Sequence, residues 1–472
     1  MLKRLANPNQ ARFWILFHIA FGVACAIFKE IFIIWFVFLA ISSIPLITTG
    51  SPADRRIHLV WLIAYFASME LLSRMTKAHS YGLPWEYGKY VILVGSLYGI
   101  TVLGARRGTV GMVLFFLLLP GMFISPVYSI TRHAIAFNLL GLLAMIAGIV
   151  FMAKLEIDRE RFQSMLRLIL LPAVSVLGYT VFKTPDLKGI EFQLGANFET
   201  AGGFGSNQVS TVLGMGMFIT FLFWVNRWTL TKNRILDTIL LVGFAFQGLL
   251  TFSRGGVIGG VLAILVVLYF FSLTGRVRRF MYRIPSVGKF LIPTLIVLFA
   301  VFSIVDNITG GILSLRYQGE TNATLLGKAD KDLTTLTTGR FNIFMADVEL
   351  WKQHVVSGGG VGSSIFLRGD PMLGVSGQAA HVELSRLLAE HGLFGLFFFV
   401  IWLYIGLRLL RHDTNPKYQS ILLALFVLAL YTTFHAATRT FLTPLFTSLA
   451  LLQIVDINEP ETALSEADET NT

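Results

Sequence analysis

Apolar residues run through this chain in long unbroken blocks. The blocks lie at about 13–28, 31–48, 57–73, 89–104, 109–125, 133–153, 165–182, 208–226, 235–252, 255–273, 290–306, 391–409, 419–435 and 441–455. Each is close to the roughly 20 residues a helix needs to cross a bilayer. None shows the short alternating runs of a membrane β-barrel strand, and only helices and closed barrels satisfy their backbone in lipid. The pattern predicts an all-α polytopic membrane protein of 12–14 transmembrane helices, with the first two blocks read either as two spans or as one re-entrant hairpin. The first block follows Lys3, Arg4 and Arg12 in the manner of a signal peptide. With further blocks following at once, it is read as an uncleaved first helix.

Composition agrees. Of 472 residues 55% are hydrophobic and 14% charged, against roughly 25% charged in an ordinary soluble domain. The net charge of +11 falls in short clusters between the blocks, as topology signals do, so nucleic acid is not an expected partner. With the N-terminus in the cytoplasm, 22 of the 38 Lys and Arg, among them Arg55, Arg56, Lys154, Arg161 and Arg234, fall inside. The positive-inside rule therefore places both termini in the cytoplasm. The acidic stretch from 457 onward has little to bury and reads as a disordered cytoplasmic tail. The single Cys25 allows neither a disulfide framework nor a cysteine metal site.

Two segments then face outward, 183–207 and the far longer 307–390, whose length marks it as functional. Arg254 in TFSRGGVIGG is pinned between two spans, where an arginine either snorkels to headgroups or faces a cavity. Its glycines permit close backbone approach, which favours a cavity for an anion. Arg340 in TTGRFNIFMADVELWKQH opens an amphipathic helix with Phe341, Phe344, Val348 and Trp351 on one face. Asp347 and Glu349 are then its solvated side. Thr337, Thr338 and Gly339 read as a turn and cap, and a helix N-terminus beside a guanidinium suits a phosphate.

His381 in HVELSRLLAEHGLFG opens the helix of the twelfth block. The positive end of a helix keeps imidazole neutral, and neutral imidazole can act as a general base. Arg386 and Glu390 are four residues apart and can pair with each other. The DKD at 330–332 has two carboxylates for a divalent cation, but Lys328 and Lys331 crowd them, so no metal is expected. No P-loop, Ser–His–Asp pattern or HExxH zinc motif occurs.

Taken in order, GGFGSNQVS (202–210), FSRGG (252–256), TGR (338–340) with GGGVGSS after it, and HVELSRLLAEHGLFG (381–395) resemble the O-antigen ligase and O-antigen polymerase superfamily of bacterial envelope proteins. The core of the likeness covers 237–405, between N-terminal helices at 1–236 and C-terminal helices at 406–456. The resemblance implies a metal-independent glycosyltransferase of the inner membrane, without a cofactor and with its site on the periplasmic face. The implied donor is a polyprenyl diphosphate-linked glycan, and the implied acceptor is lipid A–core or another glycan. Carried over, Arg254 and Arg340 would neutralise the diphosphate, and His381 would take the acceptor's proton. Asn207, Arg386 and Arg439 would add substrate contacts, with Arg132 and His133 as further outer candidates. The chain departs from the pattern at Val382, where the family often has Asn, and at Ser206, where Pro commonly precedes the Asn.

An O-antigen ligase is the leading expectation, with a polymerase of lipid-linked repeats beside it because the two share these motifs. A transporter of lipid-linked sugars is the reading of another class. It would call for mid-span ionisable residues, broken helices and internal repeats, and the conspicuous charge here sits at the outer ends of the blocks.

Overall fold

The computed structural model describes residues 1–105, 109–123, 132–273, 286–328, 330–368, 380–411 and 416–455. Arg106, Arg107, Arg276, Arg278, Arg279, Arg283, the side chains of Arg132, His133, Lys289 and Arg411, and the acidic tail lie outside the described residues.

The apolar blocks fold as helices. In chain order these are α1 (Ala11–Ile27), α2 (Glu30–Thr48), α3 (Pro52–Ser68), α4 (Tyr87–Thr101), α5 (Thr109–Phe123), α6 (Arg132–Met152), α7 (Arg159–Lys183), α8 (Ser206–Val225), α9 (Arg234–Leu250), α10 (Arg254–Leu273), α11 (Ser286–Ile308), α12 (Arg340–Gln353), α13 (Glu383–Arg408), α14 (Pro416–Thr432) and α15 (Leu442–Leu449). Seven helices among the described residues are long and apolar enough to cross a membrane, and four apolar helices of 10–17 residues accompany them. The protein is thus a helical, multi-pass membrane protein. The first two blocks are separate helices, each long enough to span.

The last block departs from expectation. Its helix α15 has 8 residues, all buried, and the chain then forms a short strand, Gln453–Val455, parallel to Glu156–Asp158. Thr443, Pro444, Thr447 and Ser448 make this block more polar than its neighbours, which suits an interior position among helices.

Capping sets several helix starts. Ser51 accepts a hydrogen bond from the Asp54 backbone N–H (3.1 Å) ahead of Pro52, and Asp158 accepts one from Arg161 N–H (2.8 Å). Closest packing follows glycine. A Cβ on Gly256 of α10 would overlap the Ser210 backbone of α8, and one on Gly214 of α8 would overlap the Gly256 carbonyl. Gly22 of α1 and Gly178 of α7 cross in the same way, the small-residue contact that lets helices associate within lipid.

The helix ends sort into two groups. At one end, Arg161 pairs with Asp54 (2.9 Å), Trp61 donates to the Arg161 carbonyl, and Arg167 donates to the Ala6 carbonyl (both 3.1 Å). At the other end, Arg74 donates to Gln208 (2.8 Å), Asn207 to the His435 carbonyl (2.8 Å), and Arg386 to the Asn138 carbonyl (3.0 Å). These are the groups that charge assigns to the inner and outer faces.

The long segment after α11 folds as short helical turns (Ile312–Tyr317, Asn322–Leu325, Leu333–Thr337), then α12 and the turn Ser364–Leu367. It docks on α13 at a break. Gly392 there has φ 59° and ψ −136°, and the turns at 355–361 lie across the gap. Leu393 N–H donates to the Val355 carbonyl (2.9 Å), Gly359 N–H to Ala389 (2.8 Å) and Gly360 N–H to Glu390 (3.0 Å). Backbone groups freed by a broken helix at membrane depth need such partners.

Candidate functional site

The start of α10 carries Arg254 to the end of the bundle that holds Asn207 and His435. Its guanidinium donates to the carbonyl of Arg316 (3.1 Å), to the Leu336 carbonyl, and to the Thr338 hydroxyl (3.1 Å). Arg316, in the turn Ile312–Tyr317, reaches the same hydroxyl at 3.5 Å, and its Nε is buried without a partner. Thr338 and Gly339 both take left-handed backbone (φ 58° and 79°), which turns the chain into α12. The Thr337 hydroxyl caps the Phe341 N–H at 3.0 Å. Arg340 is the first residue of α12, so the turn expected from TTGR is the one that forms.

Arg254, Arg316 and Arg340 therefore converge, and no carboxylate pairs with any of them among the described residues. Burial lowers the Arg316 pKa to about 10, with the charges of Arg254 and Arg340 adding to the effect. Burial and then Arg254 also push Arg340 down. Like charges are gathered without an acid to neutralise them, an arrangement that favours a multivalent anion.

His381 sits two residues before α13, half-buried, with its Nδ1 buried and unpartnered. The loop after α14 holds this stretch on both sides. Ala437 N–H donates to the His381 carbonyl (3.1 Å), Glu383 N–H to the Thr433 carbonyl (2.9 Å), and Arg439 to the Ala380 carbonyl. Its pKa falls to about 4, through burial first and then the charges of Arg439 and Arg340, against a backbone contact at His435 that acts the other way. Burial first, and then the neighbouring guanidiniums, favour the neutral imidazole.

A scan against models of known protein families finds no match, and no curated protein matches the chain. The likeness to the O-antigen ligase superfamily thus rests on the motif residues, and geometry alone distributes them.

His381, Arg254, Arg340 and Arg439 come together around one end of the bundle: Arg340 and Arg439 both act on His381, and Arg254 acts on Arg340. Asn207 ties the site's walls. Its amide donates to the His435 carbonyl (2.8 Å) and accepts from the Ser253 hydroxyl (3.1 Å). Arg386 is buried inside α13, paired with Glu383 and, at 3.3 Å, with Glu390. The pairing with Glu390 foreseen from sequence is present, and the guanidinium is engaged by two carboxylates. In DKD, Asp332 caps the turn Leu333–Thr337 by accepting from Thr335 N–H (2.7 Å), and Lys331 pairs with Glu320.

The glycines of FSRGG give the close backbone approach expected of them, here between two helices. Gly255 fits against the His435 ring and Gly256 against Ser210, so they make the helix crossing that aims Arg254.

Asp347 corrects the reading of α12. It is fully buried, accepts from the Ser385 hydroxyl (2.7 Å) and pairs with Arg368 at 3.4 Å. Burial raises its pKa to about 6, against the pull of Arg368. The buried face of α12 is Ile343, Ala346, Asp347 and Leu350, whereas Phe341, Phe344, Val348 and Trp351 are half-buried. A carboxylate was assumed to face water, but here Ser385 and Arg368 supply its partners from elements distant in sequence.

Sequence reasoning did not single out Arg316, His435, Arg368 or Lys89. Arg316 carried one sign, a basic residue inside the apolar turn ILSLRY.

Proposed function

We propose that this protein is a membrane glycosyltransferase that moves a glycan from a polyprenyl diphosphate carrier to an acceptor hydroxyl, most simply as an O-antigen ligase. The observation that carries the reading is three guanidiniums that no carboxylate pairs with among the described residues, beside a neutral histidine whose Nδ1 has no hydrogen-bond partner among them.

The chemistry balances with the chain's own groups. The acceptor oxygen attacks the anomeric carbon, the bond from that carbon to the diphosphate oxygen breaks, and the hydroxyl proton passes to His381. The leaving diphosphate gains charge, and Arg254, Arg316 and Arg340 are in place to hold it. Fixed cations in a partly dry site stabilise such charge without reorganising. A bound diphosphate also offsets the cationic field that depresses His381, which moves the base towards the operating pH. No divalent ion is required by this scheme.

The test is transfer in detergent solution from a polyprenyl-diphosphate oligosaccharide to lipid A–core, with and without EDTA. Transfer insensitive to EDTA, and lost in folded Arg254→Ala and His381→Ala, supports the reading. Transfer at the wild-type rate by His381→Ala removes the base assignment. Ladders of lipid-linked glycan formed without lipid A make the protein a polymerase. Movement of intact donor across liposomes without transfer makes it a transporter.

A further inference from the structure

A second group of cations, Arg439 and Arg368 among them, also acts on His381. A cavity of about 250 Å³ is bordered by Lys89, Arg368, Ala380, Arg386, Glu390 and Arg439. Ala380 is the neighbour of His381, and Arg439, which holds the Ala380 carbonyl, also acts on the His381 ring. The cavity therefore opens beside the histidine.

Among the described residues, two of its cations, Lys89 and Arg368, are incompletely hydrogen-bonded. Lys89 is 1% exposed, at the start of α4, with its ammonium over the Phe137 ring at 5.4 Å. No described residue gives it a hydrogen bond or ion pair, although Glu70 lies close enough to act on it. Arg368 is 0% exposed and donates from Nε to the Ser364 carbonyl (2.9 Å). It faces Asp347 at 3.4 Å, yet Nη1 and Nη2 have no hydrogen-bond partner.

Three carboxylates lie nearby, and two of them, Asp347 and Glu70, each keep one buried oxygen without a hydrogen-bond partner among the described residues. Glu390 is held by Arg386 (3.3 Å) and the Ser364 hydroxyl (2.7 Å), Asp347 by Ser385 (2.7 Å), and Glu70 by Arg74 (2.7 Å). Buried charge without matched hydrogen bonds is costly, and it persists where something else supplies the partner.

We infer that this cavity receives an anionic substituent, a phosphate or a carboxylate, on the acceptor sugar, and so presents the adjoining hydroxyl to His381. The inference rests on the glycosyltransferase reading for the word acceptor, whereas the anion site stands on the cavity itself. Drug-sized ligands occupy about 300–1,000 Å³, so this volume suits one substituted sugar residue and leaves the rest of a glycan outside. Lys89 supplies a point charge, while Arg368 and Arg439 supply planar donors suited to two oxygens of one group. Neutral acceptor sugars would leave the Lys89 ammonium and the two Nη groups of Arg368 without hydrogen-bond partners, which makes the cavity a specificity device.

The experiment uses the full chain in detergent and follows the thermal unfolding midpoint with millimolar glucose 6-phosphate, glucuronate, glucose or inorganic pyrophosphate. Lys89→Met and Lys89→Arg are compared with wild type and with Arg316→Gln. The expected result is an upward shift by one or both anionic sugars and none by glucose. That shift is lost in Lys89→Met, restored in Lys89→Arg and kept in Arg316→Gln. The two anionic sugars separate phosphate from carboxylate. Equal shifts by glucose, a shift that survives Lys89→Met, or no shift in wild type overturns the inference. A wild type that responds to the anionic sugars and not to pyrophosphate supports this cavity and counts against the diphosphate site, so the two readings fail separately. Lys89→Met takes a cation from the buried Glu70, so its folding is checked in the same melt, and rescue by Lys89→Arg, which keeps the charge, carries the test if Lys89→Met unfolds.

Discussion

His381 is the base of the proposed reaction, and its titration can be read in two ways. Its folded pKa of about 4 is below the ordinary 6.5. As pH falls below 6.5 the unfolded chain takes a proton that the folded chain refuses. The stability from this residue is therefore complete above pH 6.5 and is lost as pH drops towards 4. We expect the unfolding midpoint of the wild type to fall over that window, with a shallower fall in His381→Gln. An unchanged slope would show that the ring is not buried among cations. In the transfer assay His381→Ala should lose about 10²–10⁴ of the rate, the usual contribution of a positioned base. Arg386 calls for the opposite expectation. Removing it leaves Glu383 and Glu390 buried without their cation, which costs about 3–5 kcal/mol. Arg386→Met should therefore fail in unfolding or expression assays before any loss of turnover can be measured, whereas Arg316→Gln should fold and bind pyrophosphate weakly. Sequence spacing already pairs Arg386 with Glu390 on its own helix, whereas the gathering of Arg254, Arg316 and Arg340 depends on elements distant in sequence and is not legible there.

At the scale of elements, the blocks gave away the helices and little about their neighbours. Two blocks that both read as apolar throughout end in opposite settings: 89% of the α7 span is buried inside the molecule, against 17% of α2. Lipid is as apolar as a protein core, so periodicity carries no sign of which face meets which. The glycines do carry one. Gly256 and Gly260 set the α8–α10 crossing, and a Cβ at Gly256 meets the Ser210 backbone, which cannot move aside as a side chain could. Overpacking costs about 1–3 kcal/mol or more. Gly256→Ala should lower the unfolding midpoint and weaken transfer together, because the same crossing aims Arg254. A variant with normal stability and reduced transfer would assign this glycine to the ligand instead. The phase of α12 was misread for a related reason. Its aromatic residues suggested one face, while the buried Asp347 shows that Ser385 and Arg368 select another.

The whole molecule poses the question of direction. The contacts sort helix ends into two groups, and the charge rule says which group faces the cytoplasm. The chain offers a clean assay, because its single cysteine, Cys25, is 0% exposed in α1 and should not react with a bulky thiol reagent. Leu326 is 68% exposed in the long segment that carries Arg316 and Arg340. Glu160 is exposed in the first turn of α7, among the ends assigned to the cytoplasm. In spheroplasts, a membrane-impermeant maleimide should label Leu326→Cys at once and Glu160→Cys only after permeabilisation, with the parent chain unlabelled throughout. The reverse pattern would turn the molecule over and put the arginine trio in the cytoplasm. Labelling of both without permeabilisation would mean that the two groups of ends do not lie on opposite sides of the bilayer. The first pattern gives the proposed chemistry its setting, since a donor presented outside must meet Arg254, Arg316 and His381 on the face that carries Leu326.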